Sequence, residues 1–266
     1  MKFGCHSSTW VLDYDLEVSM IDQMIKDTSN AGFRGIDVQV ALLGEYFFNP
    51  NKLKEQLERN NLELGSITVP FSWNEGIESS SEFYRFEKYC DFLVGHFPNT
   101  IFNLPVRNGE NRENIYEKQK SILKIVNCVG KRAHEKGIQV SFHPASPETS
   151  YFRTKEDYDV MFNLLDFNYL SYTPDAGHIH MGGMDAFEII SSAYRFIKHI
   201  HIKDCSNEKV WKKMGEGDVD LQRIFKFLND KNYDGWVMFE EETDQAKLTP
   251  NLVVDNIYKY LNKLKY

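Results

Sequence analysis

The sequence predicts an α/β fold, a single (β/α)8 TIM barrel that spans residues 1–266 as one domain. Along the whole chain, short runs rich in apolar and β-branched residues alternate with longer segments of helical period. Eight such units fit into 266 residues, at about 33 residues for each unit. No Pro/Ser/Gly-rich linker interrupts the alternation. No Gly-x-Gly-x-x-Gly motif follows the first strand, which disfavours a dinucleotide-binding sheet.

The predicted elements alternate strictly from one end of the chain to the other. The strands are Phe3–Ser7, Gly35–Val40, Leu64–Val69, Thr100–Leu104, Gln139–His143, Leu170–Asp175, His199–Lys203 and Trp236–Glu240. The helices lie near Leu16–Ala31, Pro50–Asn60, Ser81–Phe97, Glu113–Lys136, Lys155–Leu165, Asp185–Phe196, Leu221–Lys231 and Leu252–Leu264. Strict alternation requires parallel strands, and eight units favour a closed barrel over an open sheet.

Residues at the element boundaries support this assignment. Ser81 and Asp185 are good N-cap types, and Pro250 suits a first helical turn. Glycines fall between a helix and the next strand, where the left-handed backbone region is often needed; they are Gly32, Gly137 and Gly235. The predicted helix boundaries therefore agree with the positions of the predicted strands.

Composition narrows the class of protein. The formal net charge is −8, which disfavours nucleic acid as a partner. No apolar run approaches the roughly 20 residues that span a bilayer, so we expect a cytoplasmic protein with no membrane partner. The four cysteines lie far apart without a Cys-x-x-Cys pair, which argues against a cysteine zinc site or a disulfide framework. A homo-oligomer is compatible with the sequence.

Four predicted strands end in polar residues where buried parallel strands are expected to be apolar. These ends carry His143, Asp175, His201 and Glu240. Because side chains alternate along a strand, the apolar neighbours can face the helices while these four converge inside the barrel. Two imidazoles and two carboxylates form a reasonable site for one divalent ion, Mn²⁺, Co²⁺ or Zn²⁺ rather than Ca²⁺. A single such residue is more often a satisfied polar group, but four on neighbouring strands are harder to explain that way.

Other residues are candidates for substrate contact. They are His6, Trp10, Trp73, Asp204 and Glu242. Several have a structural alternative: the tryptophans are more often ordinary packing residues, His6 is equally a structural histidine, and a solvated loop residue is the alternative for Asp204. The loop Gly215–Asp218 is either a phosphate cradle or the lead into a helix capped by Asp218.

Several motifs resemble those of the xylose-isomerase-like TIM-barrel superfamily, which contains sugar isomerases, epimerases, inosose dehydratases and endonuclease IV. The motifs are Gly32–Asp37, Asp175–His178, His201–Asp204, Gly215–Asp220 and Gly235–Glu240. The resemblance implies one divalent metal held at His143, Asp175, His201 and Glu240, and a substrate-contacting, proton-moving role for His178. Most isomerases of this superfamily have Glu at the position of His143, and a Glu is often seen at the position of Asp37. The His143–Pro144 pair and the stretch Glu240–Lys247 look more like the inosose dehydratase branch, which usually has a further His where this chain has Ala145.

The sequence therefore predicts a metal-dependent enzyme that removes a proton next to the carbonyl of a sugar or keto-polyol. Glu240 and His178 would divide proton removal and return, while Lys203, on the face of His201, would neutralise the developing oxyanion. Reprotonation of carbon gives isomerisation or epimerisation, the leading interpretation. Loss of a β-hydroxyl gives an inosose dehydratase-like lyase, the alternative. An endonuclease IV-like repair enzyme and a non-enzymatic sugar-binding barrel are remote alternatives.

Overall fold

The structure is a computed structural model that describes residues 1–13, 20–73 and 76–264. Its main sheet has eight parallel strands, which we label β1 to β8 in chain order. They span Lys2–His6, Gly35–Gln39, Glu63–Thr68, Ile101–Pro105, Val140–His143, Leu170–Tyr172, His199–Ile202 and Trp236–Phe239. An antiparallel pair, Asp204–Cys205 with Trp211–Lys212, follows β7.

One main helix follows each strand, and we label these helices α1 to α8. They span Ile21–Ala31, Pro50–Arg59, Ser80–His96, Ile115–Glu135, Lys155–Leu164, Ala186–Ala193, Leu221–Asp230 and Pro250–Leu261. Shorter α-helices cover Glu45–Phe48, Ala176–Met181 and Asp244–Leu248, and 3-10 turns cover Ser7–Thr9, Val40–Leu43 and Tyr194–Phe196. Among the described residues, no helix is both long and apolar enough to cross a membrane.

The sheet is nearly closed into a barrel. Each strand from β1 to β5 pairs with the next, β8 pairs with both β1 and β7, and isolated parallel bridges join the remaining edges, β6 and β7. These bridges are Tyr172 with Ile197 and Asp175 with His201, and His201 N donates to Pro174 O at 2.9 Å. The predicted (β/α)8 barrel is confirmed.

Some boundaries differ from the prediction. The regular part of β6 ends at Tyr172, before Pro174, which has no N–H to donate to a sheet. Ser79, not Ser81, caps α3, because its side chain and that of Glu82 form a reciprocal capping box. The first four residues of the predicted helix Leu16–Ala31 lie outside the described residues.

The lower interior of the barrel is filled by two side chains of β8. Trp236 and Met238 point inward, and a Cβ at Gly35 would lie 2.3 Å from the Trp236 ring. At Gly65, where a bulge shifts the pairing of β2 with β3, a Cβ would lie 2.3 Å from Met238 Cε. Glycine is therefore required on the facing strands, and this packed floor supports the polar layer above it.

Side chains alternate across β8 as predicted. Val237 and Phe239 are buried in the layer between the sheet and the helices. The Phe239 ring lies 5.6 Å from Phe33 and 6.1 Å from Phe3, centroid to centroid. The apolar residues thus occupy the helix-facing side, which leaves the inward positions at the strand ends free for polar residues.

Candidate metal centre and substrate pocket

The segment after β6 places Asp175 inside the barrel. Asp175 is fully buried, and its Oδ1 accepts a hydrogen bond from His178 N at 2.8 Å, capping the short helix that begins at Ala176. Its Oδ2 lies 3.9 Å from His143 Nε2 and 3.5 Å from Lys203 Nζ, but it accepts no hydrogen bond from the described residues. A fully buried carboxylate oxygen without a hydrogen-bond donor is rare in folded proteins and suits a cation.

The ends of β7 and β8 bring His201 and Glu240 to the same point. His201 Nδ1 lies 3.1 Å from His143 Nε2 and 3.3 Å from Glu240 Oε1. The other ring nitrogen, His201 Nε2, lies 2.8 Å from Asp37 Oδ2. The structure therefore brings together the four residues predicted as metal ligands.

The geometry of this group fits one divalent ion. Donor atoms of His143, Asp175 and His201 all lie within 4.8 Å of one another. Together with Glu240, His143 and His201 border a cavity of about 20 Å³, enough for about one water-sized particle. Metal bonds of about 2.0–2.2 Å separate tetrahedral ligand atoms by about 3.3–3.6 Å, close to the distances seen here. The mixed nitrogen and oxygen donors suit Zn²⁺, Mn²⁺ or Co²⁺.

A second group of potential ligands shares His201. It consists of His6, Asp37 and His201, again with donor atoms within 4.8 Å. Asp37 Oδ1 accepts a hydrogen bond from Thr68 Oγ1 at 2.8 Å, and Asp37 Oδ2 lies 3.0 Å from His199 Nε2 as well as 2.8 Å from His201 Nε2. Because both oxygens already have partners, Asp37 is better suited to orient His201 than to hold an ion.

The two buried aspartates have opposite pKa shifts. Burial raises the pKa of both carboxyl groups. At Asp37 the charge of His6 and hydrogen bonds from two further histidines outweigh burial, and the pKa lies well below its usual value. At Asp175 burial outweighs the attraction of Lys203, so its pKa is raised. The protein alone therefore stabilises the charged form of Asp37 but not that of Asp175.

Lys203 and Glu240 form a buried ion pair beside Asp175. Lys203 Nζ lies 3.2 Å from Glu240 Oε1 and also donates to Glu242. Glu240 Oε2 lies 3.2 Å from His6 Nδ1. Burial alone lowers the pKa of Lys203 and raises that of Glu240, but the surrounding charges outweigh it and shift both in the opposite direction. The pair is therefore an ammonium and a carboxylate.

His178 lies at the mouth of the cluster. Its Nε2 is 3.2 Å from Lys203 Nζ, and its Nδ1 is 2.7 Å from Ser146 Oγ. Burial, and then the positive charge of Lys203, hold the pKa of His178 well below its usual value. The imidazole is therefore neutral, with Nε2 beside the Lys203 ammonium.

A larger cavity of about 450 Å³ opens above the cluster and lies within the usual size range of ligand pockets. His178 and Glu242 border both this cavity and the small one below it. The described lining residues of the larger cavity are Ser8, Leu12, Gln39, Pro70, Pro105, Val106, Arg107, Asn108, Ala145, Pro147, His178 and Glu242. We refer to this cavity as the upper pocket.

Not every predicted substrate-contacting residue reaches the upper pocket. His6 lies in the polar cluster and Glu242 borders the pocket. Trp10, in contrast, is buried and donates from Nε1 to Asp27 Oδ2 at 3.0 Å, away from the described pocket lining. Trp73 stacks on Phe71 with ring centroids 5.0 Å apart and borders a neighbouring cavity.

Asp204 organises a loop instead of lining the pocket. Its Oδ2 accepts hydrogen bonds from Gly215 N and Gly217 N, both at 2.9 Å. These are the loop amides that a phosphate cradle would offer, and a carboxylate of the protein occupies them. The helix that comes next begins at Leu221 and is capped by Asp220, not by Asp218.

Sequence reasoning did not assign site roles to several inward polar residues of the first strands and of β7. They are Asp37, Gln39, Thr68, Asn103 and His199. A signal for them existed, because each is a polar residue on the inward side of a strand otherwise rich in apolar residues. The contacts of Asp37 with His199 and His201 join strands distant in sequence, so only the closed barrel shows them.

Imidazoles and carboxylates that could hold a metal at the C-terminal ends of barrel strands are the arrangement expected of a TIM-barrel metalloenzyme. The chain belongs to the family described as Xylose isomerase-like TIM barrel, whose profile matches residues 25–264. It is 27% identical to the inosose dehydratase of Clostridium perfringens (strain ATCC 13124), over 99% of this chain and 97% of that protein.

Solved structures share the fold. The IolI protein with a bound zinc atom superposes with a TM-score of 0.78 at 15% identity, covering 99% of this chain and 98% of that one. D-psicose 3-epimerase of Clostridium cellulolyticum H10, solved with D-tagatose, gives a TM-score of 0.71 at 16% identity, covering 98% and 97%.

Proposed function

We propose that this protein is a divalent-metal-dependent enzyme that removes a proton next to the carbonyl of a polyhydroxylated ketone and then eliminates water, as an inosose dehydratase does. The observation that carries the proposal is the buried Asp175 Oδ2, which no hydrogen bond from the described residues reaches and which faces His143 and His201 at the base of the upper pocket.

His143, Asp175, His201 and Glu240 would hold the ion. A divalent ion there would polarise the substrate carbonyl and lower the pKa of the neighbouring C–H. Mn²⁺, Co²⁺ and Zn²⁺ all suit this donor set, and the bound zinc of the IolI structure supports a metal in a barrel of this fold.

The residues around the ion have complementary proton states. Glu240 is held as a carboxylate by Lys203 and His6, so it can act as a base. His178, which borders the upper pocket, would take up or return a proton at Nε2. The Lys203 ammonium, 3.2 Å from His178 Nε2, can stabilise negative charge that develops on the substrate oxygen. Glu240 and His178 would supply the proton transfer, Lys203 would stabilise the developing charge, and Glu242 would position a substrate hydroxyl at the pocket wall.

Elimination is favoured over epimerisation by similarity to known enzymes. The chain resembles inosose dehydratases over nearly its whole length and theirs, at 27% identity. The solved epimerase resembles it at 16% identity, which supports a shared fold.

Isomerisation or epimerisation is the second candidate. It shares the first step, and the common fold with D-psicose 3-epimerase supports a barrel shape that accommodates a ketose. The two candidates differ only in the step after proton removal, because carbon is reprotonated in one and a β-hydroxyl leaves in the other.

The two outcomes can be separated in one assay. Protein loaded with Mn²⁺, Co²⁺ or Zn²⁺ is incubated with 2-keto-myo-inositol and with a panel of ketoses, in D₂O. We expect an absorbing enone or dione product from the inosose, and no product from Asp175→Asn protein. Deuterium incorporation without loss of water would support the second candidate instead. If the metal-loaded protein neither forms product nor exchanges deuterium with any of these ketones, the proposal is wrong.

A further inference from the structure

Two amide side chains on the wall opposite the charged groups have unsatisfied polar atoms. Gln39, the last residue of β2, is only 1% exposed, yet neither its Oε1 nor its Nε2 has a hydrogen-bond partner among the described residues. Asn103 of β4 is fully buried; its Nδ2 donates to Thr68 Oγ1 at 3.0 Å, while its Oδ1 has no partner within the same part of the chain. Buried amides normally form such bonds, so each free atom requires a reason.

The backbone fixes where the Gln39 side chain begins. Gln39 N donates to Ser7 Oγ at 2.9 Å, and the residue ends a strand buried along its whole length. Gln39 borders the upper pocket, and Asn103 borders the small cavity below it. The unsatisfied atoms therefore belong to the wall of the space in which a ligand would bind.

The topology places these amides across the barrel from the proton-transferring groups. In a closed ring of eight strands, β2 lies opposite β6 and β4 lies opposite β8. Gln39 thus faces His178, which follows β6, and Asn103 faces Glu240, which follows β8. A molecule bound at the candidate metal cluster would therefore extend toward the amides.

We propose that Gln39 binds two neighbouring hydroxyl groups of the substrate, donating from Nε2 to one and accepting at Oε1 from the other, while Asn103 Oδ1 accepts from a third. This inference rests on the proposed function, whose substrate class it sharpens. An amide offers both a donor and an acceptor, and so does a hydroxyl group. A carboxylate or phosphate on the ligand only accepts, so it would leave Gln39 Oε1 and Asn103 Oδ1 without a donor. The opposite wall is therefore built for the uncharged, hydroxylated part of a polyol.

The test pairs a protein variant with a substrate variant. Kinetics on 2-keto-myo-inositol and on its analogues that lack one hydroxyl are measured for wild type and Gln39→Leu, both loaded with Mn²⁺. We expect Gln39→Leu to raise KM for the full substrate about 10-fold. For wild type, one or two deoxy analogues show a similar rise in KM, and Gln39→Leu adds no further penalty on those analogues. The inference is wrong if Gln39→Leu leaves KM for the full substrate within about twofold of wild type. It is also wrong if, for every deoxy analogue, the increase in KM from Gln39→Leu adds in full to the increase from the missing hydroxyl.

Two controls separate this inference from simpler explanations. Gln222→Ala, which removes an exposed amide on α7, is expected to leave KM unchanged. Metal content and urea denaturation of Gln39→Leu are expected to match wild type, which excludes a general loss of structure.

An equilibrium readout separates the inference from the proposed function. Calorimetric titration with myo-inositol, which has the hydroxyls but no carbonyl, is performed on both metal-loaded proteins. Binding by wild type that weakens about 10-fold in Gln39→Leu supports the hydroxyl contacts even if no turnover occurs. Equal binding by the two proteins, or no binding by wild type, overturns the inference whatever the reaction is.

Discussion

Asp37 and Asp175 are both fully buried aspartates within reach of the same histidine, yet their surroundings are opposite. Around Asp37 each oxygen has a partner: Thr68 on one side, His199 and His201 on the other. Around Asp175 one oxygen caps a short helix and the other has no hydrogen bond from the described residues. A buried carboxylate that the protein satisfies holds other residues in place, and one that it leaves unsatisfied is available to a ligand.

The largest expected effect comes from Asp175→Asn. Losing the negative charge and one coordinating oxygen is expected to lower affinity for Mn²⁺ by at least about 100-fold, and activity in proportion to the metal lost. Metal content after dialysis against buffered free Mn²⁺ checks this. The metal-free variant is expected to be at least as stable as wild type toward urea, because the burial penalty of an unsatisfied carboxylate is gone. Retention of metal at the wild-type level would contradict the assignment of Asp175 as a ligand.

The same substitution at Asp37 is expected to reduce the stability of the metal-free protein more, and the affinity for metal less, than Asp175→Asn does. Asp37→Asn weakens the hydrogen bonds to two imidazoles, which is expected to lower the free energy of unfolding of the metal-free protein by about 2 kcal/mol. Affinity for the metal is expected to fall only about 10-fold, through misorientation of His201. The visible spectrum of the Co²⁺ form is expected to shift in shape, since it reports ligand geometry. If Asp37→Asn removes metal as completely as Asp175→Asn does, Asp37 is itself a ligand.

A third aspartate, outside the cluster, extends the comparison to pH. Asp157 accepts from Arg112 Nη2 at 2.9 and 2.8 Å, from Arg153 N at 2.9 Å and from Thr154 N at 2.8 Å. Burial raises the pKa of this carboxyl, but the backbone N–H groups and the guanidinium outweigh burial and lower the pKa below its usual value. Its contribution to stability is therefore present above the unfolded pKa of about 3.9 and is lost as pH falls through the lower folded value.

Asp157→Asn is accordingly expected to cost about 2 kcal/mol of unfolding free energy at pH 7. The difference from wild type is expected to shrink below about pH 4, as the wild-type carboxylate becomes protonated. Urea denaturation of both proteins at pH 7 and at pH 3 measures this. A difference that stays constant over that range would mean that the charge of Asp157 is not what stabilises the fold.

The smallest effect on activity is expected for Trp10→Phe. The substitution leaves Asp27 Oδ2 without the indole donor, which is expected to cost about 1 kcal/mol of stability. Because Trp10 lies outside the described lining of the upper pocket, KM is expected to stay within about twofold of wild type. A rise in KM of about 10-fold with unchanged stability would restore Trp10 as a substrate contact.

Alternation of side chains along strands made much of the fold and site predictable. Polar residues at strand ends pointed to His143, Asp175, His201 and Glu240, because the apolar neighbours had to face the helices. The same rule, applied one residue further, excludes Asp204, since it follows the inward-pointing Lys203 and must face outward. Trp10 could not be placed from sequence, because it lies after a strand end, where a 3-10 turn sets its direction.

The role of Asp37 depends on contacts that sequence does not contain. An inward Asp on β2 is visible from the pattern, but its partners His199 and His201 come from β7, more than 160 positions away along the chain. The sequence therefore indicates which residues can form a polar site inside the barrel. The contacts made when the barrel closes distinguish Asp37, which orients histidines, from Asp175, which is available to a ligand.

The packing of Trp236 and Met238 against the facing glycines affects how an ion and a substrate can reach the candidate site. With the lower interior filled, we expect the candidate metal cluster to reach solvent through the upper pocket, which shares His178 and Glu242 with the small cavity at the cluster. Ion and substrate would then enter through the same pocket, the ion first and the substrate second. A polyol bound between His178 and Gln39 would block release of the ion. Extraction of metal by a chelator should then slow as the polyol concentration rises.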